Sequence, residues 1–160
     1  MTDGAPLILT VVNAIGSALV AGVFFAFSAF VMAGLGWAPA EAGTAAMQGI
    51  NLTAPTAPFM IAFLGTGATS VVLAVMAVVR WSESPAPWLL LGCVLYLATL
   101  VVTFVYHVPR NNALALLEPT APSTHEAWDR YRMAWTGWNH VRTTTALGAA
   151  ITFTLSLRMR

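Results

Sequence analysis

The sequence STHEAWDRYRMAWTGWNHVR, residues 123–142, is the polar and aromatic segment around which the rest of the chain is arranged. It opens with Ser123 and, three residues later, Glu126, a capping-box pattern that predicts the start of a helix. In a helix, alternating spacings of three and four residues bring side chains to a common face. This face carries Trp128, Tyr131, Trp135, Trp138 and Arg142. The segment therefore predicts an amphipathic aromatic helix at about residues 124–139.

The composition on either side of this segment is that of a membrane protein. The chain has 160 residues, of which 58% are hydrophobic and 8% charged, whereas soluble domains contain about 25% charged residues. The length predicts one domain, residues 1–160, and the composition predicts that its main partner is the lipid bilayer. The net charge is +1, which offers no field for nucleic acid, so we expect no nucleic-acid partner.

Four apolar segments are long enough to cross a bilayer. They lie at about residues 7–35, 58–79, 88–107 and 141–157. The predicted fold is therefore all-α: a bundle of four transmembrane helices, with the aromatic helix as an additional element between the third and fourth spans. Asn13, a lone amide in the first span, is expected to bond to another helix.

Alternate ends of consecutive spans lie on the same side of a bilayer. Asn51, His107 and His140 therefore share one side with the aromatic helix. The arginines are divided almost evenly between the two sides, so the positive-inside rule alone does not orient the chain. If Arg110 and Arg142 belong to a site, the remaining arginines favour the termini, and we expect a multi-pass protein of the cell membrane with both termini in the cytoplasm.

Two polar clusters at this side are candidates for chemistry. One contains His107, Arg110 and Asn111, and polar groups at membrane depth are usually kept beside a cavity or a partner. The alternative for this cluster is that Asn111 and Asn112 cap a helix end broken at Pro109 and that His107 bonds a carbonyl oxygen. The other cluster contains Asn139 and His140 together with the neighbouring tryptophan and arginine. An interfacial belt would explain the tryptophan and the arginine but not the amide or the imidazole.

Four motifs resemble the anthrone oxygenase-like family of small four-helix membrane proteins. They are GVFFAFSAFVM (residues 22–32), AMQGIN (46–51), VTFVYHVPRNNALA (102–115) and W..Y...WTGWNHVRT (128–143). The resemblance implies an enzyme, an oxygenase that converts an anthrone to an anthraquinone with molecular oxygen during the tailoring of aromatic polyketides.

The reaction implied by the resemblance makes three demands on the site. A flat apolar substrate needs an aromatic slot, removal of a methylene proton needs a base such as a histidine, and the enolate oxygen needs hydrogen-bond donors. We expect catalysis to depend on His107, His140, Asn111, Asn139 and Arg142. We expect substrate contacts from Asn51, Phe24, Phe27, Trp135, Trp138, Tyr131 and Arg110.

The sequence leaves alternatives open both for the cofactor and for the activity of the protein. An electron-rich enolate can pass an electron to oxygen directly, so the leading interpretation requires no cofactor. One alternative is a metal-dependent membrane oxidoreductase in which His107 and His140 hold a transition metal. Another is a protein without enzymatic activity that binds a lipid or a quinone. A homo-oligomer is compatible with the sequence, which fixes neither the oligomeric state nor the natural substrate.

Overall fold

The computed structural model describes residues 4–159, which form helices and no strands. This confirms the prediction of an all-helical chain. The helices are α1 (Gly4–Ala26), α2 (Met32–Trp37), α3 (Ala40–Thr53), α4 (Ala57–Val79), α5 (Ala86–Val102), α6 (Val108–Ala115) and α7 (Thr124–Arg158). Two π-helical turns interrupt the helical ladder, the first at Phe27–Val31 between α1 and α2 and the second at Thr103–His107 between α5 and α6.

Three continuous helical stretches are long and apolar enough to cross a membrane. They are Gly4–Trp37, Ala57–Val79 and Ala86–Ala115. The third stretch continues beyond the predicted end of its span because Pro109 falls in the first turn of α6. The π-turn directly before α6 lets the backbone adjust to the amide hydrogen that Pro109 lacks, so the helix continues. These stretches support the assignment of the chain as a membrane protein.

The predicted aromatic helix is not a separate element. It forms the first half of α7, a single helix of 35 residues that also contains the predicted last span. The sequence between the two halves contains no proline, and the lone Gly137 does not break the helix. The second half of α7 is rich in threonine and is not among the three apolar stretches.

The main core lies where α1, α4, α5 and α7 pack together. Small residues of α7, including Ala146 and Ala149, are fully buried and allow the neighbouring helices to approach closely. Gly92 of α5 lies against the ring of Phe153, where a Cβ atom would meet the ring at 2.8 Å. A second apolar cluster joins α2, α3 and α6 to the first half of α7 and contains Trp128.

Polar groups also join the spanning helices to one another. The Ser70 hydroxyl of α4 donates a hydrogen bond of 2.7 Å to Asn13 Oδ1 of α1, which confirms the bond predicted between Asn13 and another helix. The Asn13 amide nitrogen donates to the carbonyl oxygen of Leu9 at 2.9 Å. Because both atoms of the amide are bonded, Asn13 can be buried within the bundle at little cost.

Candidate functional site

A cavity of about 630 Å³ opens at one end of the bundle. It lies beside the first π-turn and is bounded by α1, α3, α4, the second π-turn, α6 and α7. Six of the twelve side chains that the sequence predicts for the site line it: Phe24, Phe27, Asn51, Asn111, Trp135 and Arg142. Exposed apolar side chains, among them Leu52, Phe104 and Val108, form part of its wall.

The apolar wall consists largely of aromatic rings in contact with one another. Phe59 and Phe63 of α4 stack with centroids 5.6 Å apart, and Phe63 meets Phe24 edge-on at 6.1 Å. On the other side, the rings of Phe27 and Trp135 are 5.6 Å apart. These contacts restrict ring rotation and leave a space suited to a flat apolar ligand.

Arg142 carries a buried positive charge at this wall, since only 5% of its surface is exposed. Its Nε and Nη2 atoms donate to Asn139 Oδ1 at 3.1 and 2.7 Å. Its Cζ atom lies 4.2 Å from the ring centroid of Phe24 and 5.0 Å from that of Trp135. Among residues 4–159 no carboxylate forms an ion pair with it. The guanidinium is therefore a buried cation without a counter-charge, an arrangement that costs several kcal/mol.

Asn139 holds this guanidinium, and both polar atoms of its side chain are hydrogen-bonded within the protein. It is fully buried, and its Nδ2 atom donates to the carbonyl oxygen of Phe24 and to the Ser28 hydroxyl, both at 2.7 Å. Ser28 belongs to the first π-turn, and turns of this kind are frequent at functional sites. Because Asn139 uses both amide hydrogens and its oxygen within the protein, we assign it to positioning Arg142 rather than to contact with a ligand.

Asn111 is held in a defined orientation by two side chains of α7. Its Oδ1 atom accepts hydrogen bonds from the Tyr131 hydroxyl at 2.9 Å and from Trp135 Nε1 at 3.1 Å. Burial raises the pKa of the Tyr131 phenol, which keeps it protonated as a donor at neutral pH. Two donors at one oxygen identify that atom as the carbonyl of the amide. The Nδ2 atom of Asn111 forms no hydrogen bond within the described part of the chain, and Asn111 lines the cavity.

Asn51 carries a second amide at the cavity, next to the Tyr131 phenol. Its Nδ2 atom is buried and has no hydrogen-bond partner among the described residues, and the side chain lines the cavity. Buried amides are almost always hydrogen-bonded, so an unpaired one indicates a place for water or a ligand. The polar part of the wall thus combines free donors of Asn51 and Asn111 with the guanidinium of Arg142.

The two predicted histidines differ in their surroundings, and none of the described lining residues is a histidine. His107 is buried, with its ring edge-on to that of Trp135 at 5.1 Å. Its two ring nitrogens each lie 3.4 Å from a backbone carbonyl oxygen, one of Val102 and one of Trp135. His140 is exposed. Residues 4–159 contain no group of three or more His, Cys, Asp or Glu side chains that could hold a metal ion.

Arg110 and Trp138, which the sequence also predicts as substrate contacts, lie outside the cavity. The Arg110 guanidinium sits 3.5 Å above the Tyr106 ring, and that ring stacks on Trp138 at 4.6 Å. Trp138 is 44% exposed. Together the three residues form a stack on the outside of the helices.

Two phenylalanines and a glutamine that line the cavity were not predicted from the sequence. Phe59 and Phe63 were not singled out, although their spacing of four places both on one helical face at the predicted side of the bilayer. Gln48 was also missed: its Nε2 atom donates to the carbonyl oxygens of Leu114 and Leu117 at 2.9 Å and so ties α3 to the end of α6. Its presence within the AMQGIN motif was the available signal.

The fold and the cavity define a helical membrane protein with a cavity walled largely by aromatic rings. The chain belongs to the anthrone oxygenase family, whose model matches residues 59–152, more than half of the chain. This confirms the family resemblance seen in the sequence motifs. The matched part includes Asn111, Trp135 and Arg142. Comparisons with curated proteins and with solved structures gave no match.

Proposed function

We propose that the protein is an integral membrane oxygenase that oxidises a lipophilic polycyclic aromatic substrate of anthrone type to a quinone with molecular oxygen. The observation that carries the proposal is the buried guanidinium of Arg142, which has no ion pair within the described chain and faces a cavity walled by aromatic rings. Such a cation is suited to stabilising negative charge that develops on a bound substrate. Membership of the anthrone oxygenase family supports oxygenase-like chemistry.

The reaction converts a methylene group and dioxygen into a carbonyl group and water. The methylene carbon loses four electrons and two protons, and dioxygen accepts the four electrons. One oxygen atom forms the new carbonyl, and the other leaves as water with the two protons. Loss of the first proton gives an enolate, whose electrons can pass to oxygen without a cofactor.

The residues of the cavity act on the enolate in this proposal. The rings of Phe24, Phe27 and Trp135 hold the flat body of the substrate, and its oxygen is directed towards Arg142 and the free amide donors. In a site shielded from water, removing one such donor typically lowers turnover by about 10²–10³-fold. The enolate, which is charged, gains more from these donors than the neutral ketone does.

A histidine accepts the first proton in the proposed mechanism. His107 is better placed than His140, because it is buried directly against the Trp135 ring that lines the cavity. Its ring nitrogens lie 3.4 Å from their carbonyl partners, which is long for a hydrogen bond. The His107→Ala and His140→Ala variants test this step, since loss of a general base lowers turnover by about 10²–10⁴-fold.

We also propose that the second half of α7 is the fourth membrane span. Its threonine hydroxyls donate to carbonyl oxygens one turn earlier, at 3.0 Å from Thr143, 2.8 Å from Thr144 and 2.7 Å from Thr154. Hydroxyls bonded in this way need no water and are tolerated in a bilayer. With four spans and both termini in the cytoplasm, the cavity would lie towards the outer face of the cell membrane, open to substrates dissolved in lipid.

The decisive experiment measures oxygen consumption by the purified protein supplied with candidate anthrones. We expect one molecule of oxygen to be consumed for each quinone formed, and we expect Arg142→Gln to lose at least about a hundredfold in rate. Retention of ligand without oxygen consumption would instead support a lipid- or quinone-binding protein. Activity that is lost together with a stoichiometric transition metal would support the metal-dependent alternative.

A further inference from the structure

We propose that the cavity selects its ligand in the anionic form, so that a flat aromatic oxyanion binds and its neutral counterpart of the same shape binds much more weakly. The inference deepens the proposed function and rests on the same site, because it specifies the ionisation state of the substrate class. It does not require that the bound ligand react with oxygen.

The first step of the argument is the charge balance of the site. Arg142 is 5% exposed, and it is the only ionisable side chain among the described residues that line the cavity. Its contacts with the faces of Phe24 and Trp135 offset part of the cost of burial. A neutral ligand would remove water from the guanidinium without supplying a negative charge. An oxyanion would supply the missing counter-charge.

The second step is the direction of the free hydrogen-bonding atoms. Asn139 holds Nε and Nη2 of Arg142, which leaves Nη1 without a partner among residues 4–159. The carbonyl oxygen of Asn111 is already bonded by Tyr131 and Trp135, so the amide of Asn111 can offer only its nitrogen. Asn51 has a buried amide nitrogen with no described partner. The groups left without a hydrogen bond are therefore donors of residues that line the same cavity, and donors favour a ligand oxygen that carries negative charge.

The third step is that the nearby charged groups do not supply this counter-charge. Arg110 of α6 is exposed and rests on Tyr106. His107 of the second π-turn lies behind the Trp135 ring. The acidic side chains of residues 4–159, namely Glu41, Glu83, Glu118, Glu126 and Asp129, are all exposed, and none forms an ion pair with Arg142. A ligand is thus the group left to neutralise Arg142.

The test uses two tricyclic probes of the same shape that have no oxidisable methylene group, anthracene-9-carboxylate and anthracene-9-carboxamide. Their fluorescence is titrated against the full chain in nanodiscs of zwitterionic lipid, with empty nanodiscs as the blank for partitioning. A charge-assisted hydrogen bond contributes about 1.5–3 kcal/mol, so we expect the carboxylate to bind about 10–150-fold more tightly at pH 7.5. The preference should disappear in Arg142→Gln and persist in Arg130→Gln, whose exposed arginine pairs with Glu126.

A measurement on the unaltered protein guards against misfolding of the Arg142 variant. Carboxylate binding should weaken as the pH falls through the pKa of the probe itself, while carboxamide binding should not change. Equal affinities for the two probes would overturn the inference even if oxygen uptake is observed. A carboxylate preference without oxygen uptake with any anthrone would uphold the inference and count against the proposed oxygenase.

Discussion

Replacing Arg142 by methionine is expected to abolish function while leaving the protein folded. Methionine has a similar reach and no charge, so the variant removes the buried cation without opening a large space. The lost hydrogen bonds to Asn139, at 3.1 and 2.7 Å, are each worth about 1.5–3 kcal/mol. Against this loss stands relief of the several kcal/mol that an unpaired buried cation costs. The two contributions nearly cancel, so the free energy of unfolding should change by no more than about 2 kcal/mol.

The informative comparison is with Asn139→Ala, which removes the side chain that accepts two hydrogen bonds from Arg142. That variant leaves the guanidinium buried without an acceptor and deprives the Phe24 carbonyl of a donor at 2.7 Å. Removing the partner of a charge that stays buried costs about 3–5 kcal/mol. For a chain of this size each kcal/mol corresponds to about 2–4 °C in Tm. Asn139→Ala should therefore lower Tm by about 6–20 °C, whereas Arg142→Met should shift it by less than about 8 °C in either direction.

Thermal unfolding followed by tryptophan fluorescence in one detergent, at a fixed scan rate, measures both effects. A fixed rate is needed because membrane proteins commonly unfold irreversibly. Oxygen uptake with an anthrone is recorded on the same samples, and Arg130→Gln serves as the surface control. If Arg142→Met lowers Tm as much as Asn139→Ala does, Arg142 is a structural brace. That result would contradict the proposal that the charge of Arg142 serves to bind a ligand.

Three further predictions concern packing, the amide at the site, and metals. A Cβ atom on Gly16 would overlap Thr66 Oγ1, so Gly16→Ala should destabilise the protein by about 1–3 kcal/mol, and adding Thr66→Ala should restore Tm. Tyr131→Phe removes one of the two donors to Asn111; we expect a loss of about 1 kcal/mol in stability and a turnover lowered severalfold, measured by thermal unfolding and oxygen uptake. Dialysis against a chelator should leave oxygen uptake unchanged, with elemental analysis before and after as the check.

The sequence was sufficient to predict the helical membrane class, and six of the twelve predicted site residues line the cavity. Long apolar runs are strong signals for spanning helices, and polar residues inside them are rare enough to indicate a cavity. Counting the predicted helices places Asn51, Asn111 and Arg142 at one end of the bundle, and all three line the cavity there. These predictions depend on patterns along the chain and not on how each helix is rotated.

Other features depend on tertiary packing, which the sequence pattern does not specify. The two halves of α7 differ so strongly in composition that they resemble two helices, yet no residue between them breaks the hydrogen-bond ladder. The π-turn at Thr103–His107 alters the rotation of the residues that follow α5, and it has no recognised sequence signal. His107 lies at the end of this turn, with its ring against that of Trp135 and outside the cavity lining. The role of Asn139 in positioning Arg142 also depends on tertiary packing, because the Asn139 amide nitrogen donates to the carbonyl oxygen of Phe24 on another helix.

An anion-selective cavity also changes what the proposed base must accomplish. A lowering of about 1.4 kcal/mol in the free energy of the enolate relative to the ketone lowers the pKa of the substrate by one unit. A charge-assisted bond from Arg142, worth about 1.5–3 kcal/mol, therefore accounts for roughly one to two units, and donors at Asn51 and Asn111 add to this. The more the cavity stabilises the enolate, the weaker the proton acceptor can be. Proton transfer still needs hydrogen-bond reach or one intervening water, so His107, which lies behind the Trp135 ring, would have to act through a water molecule or after a shift of that ring.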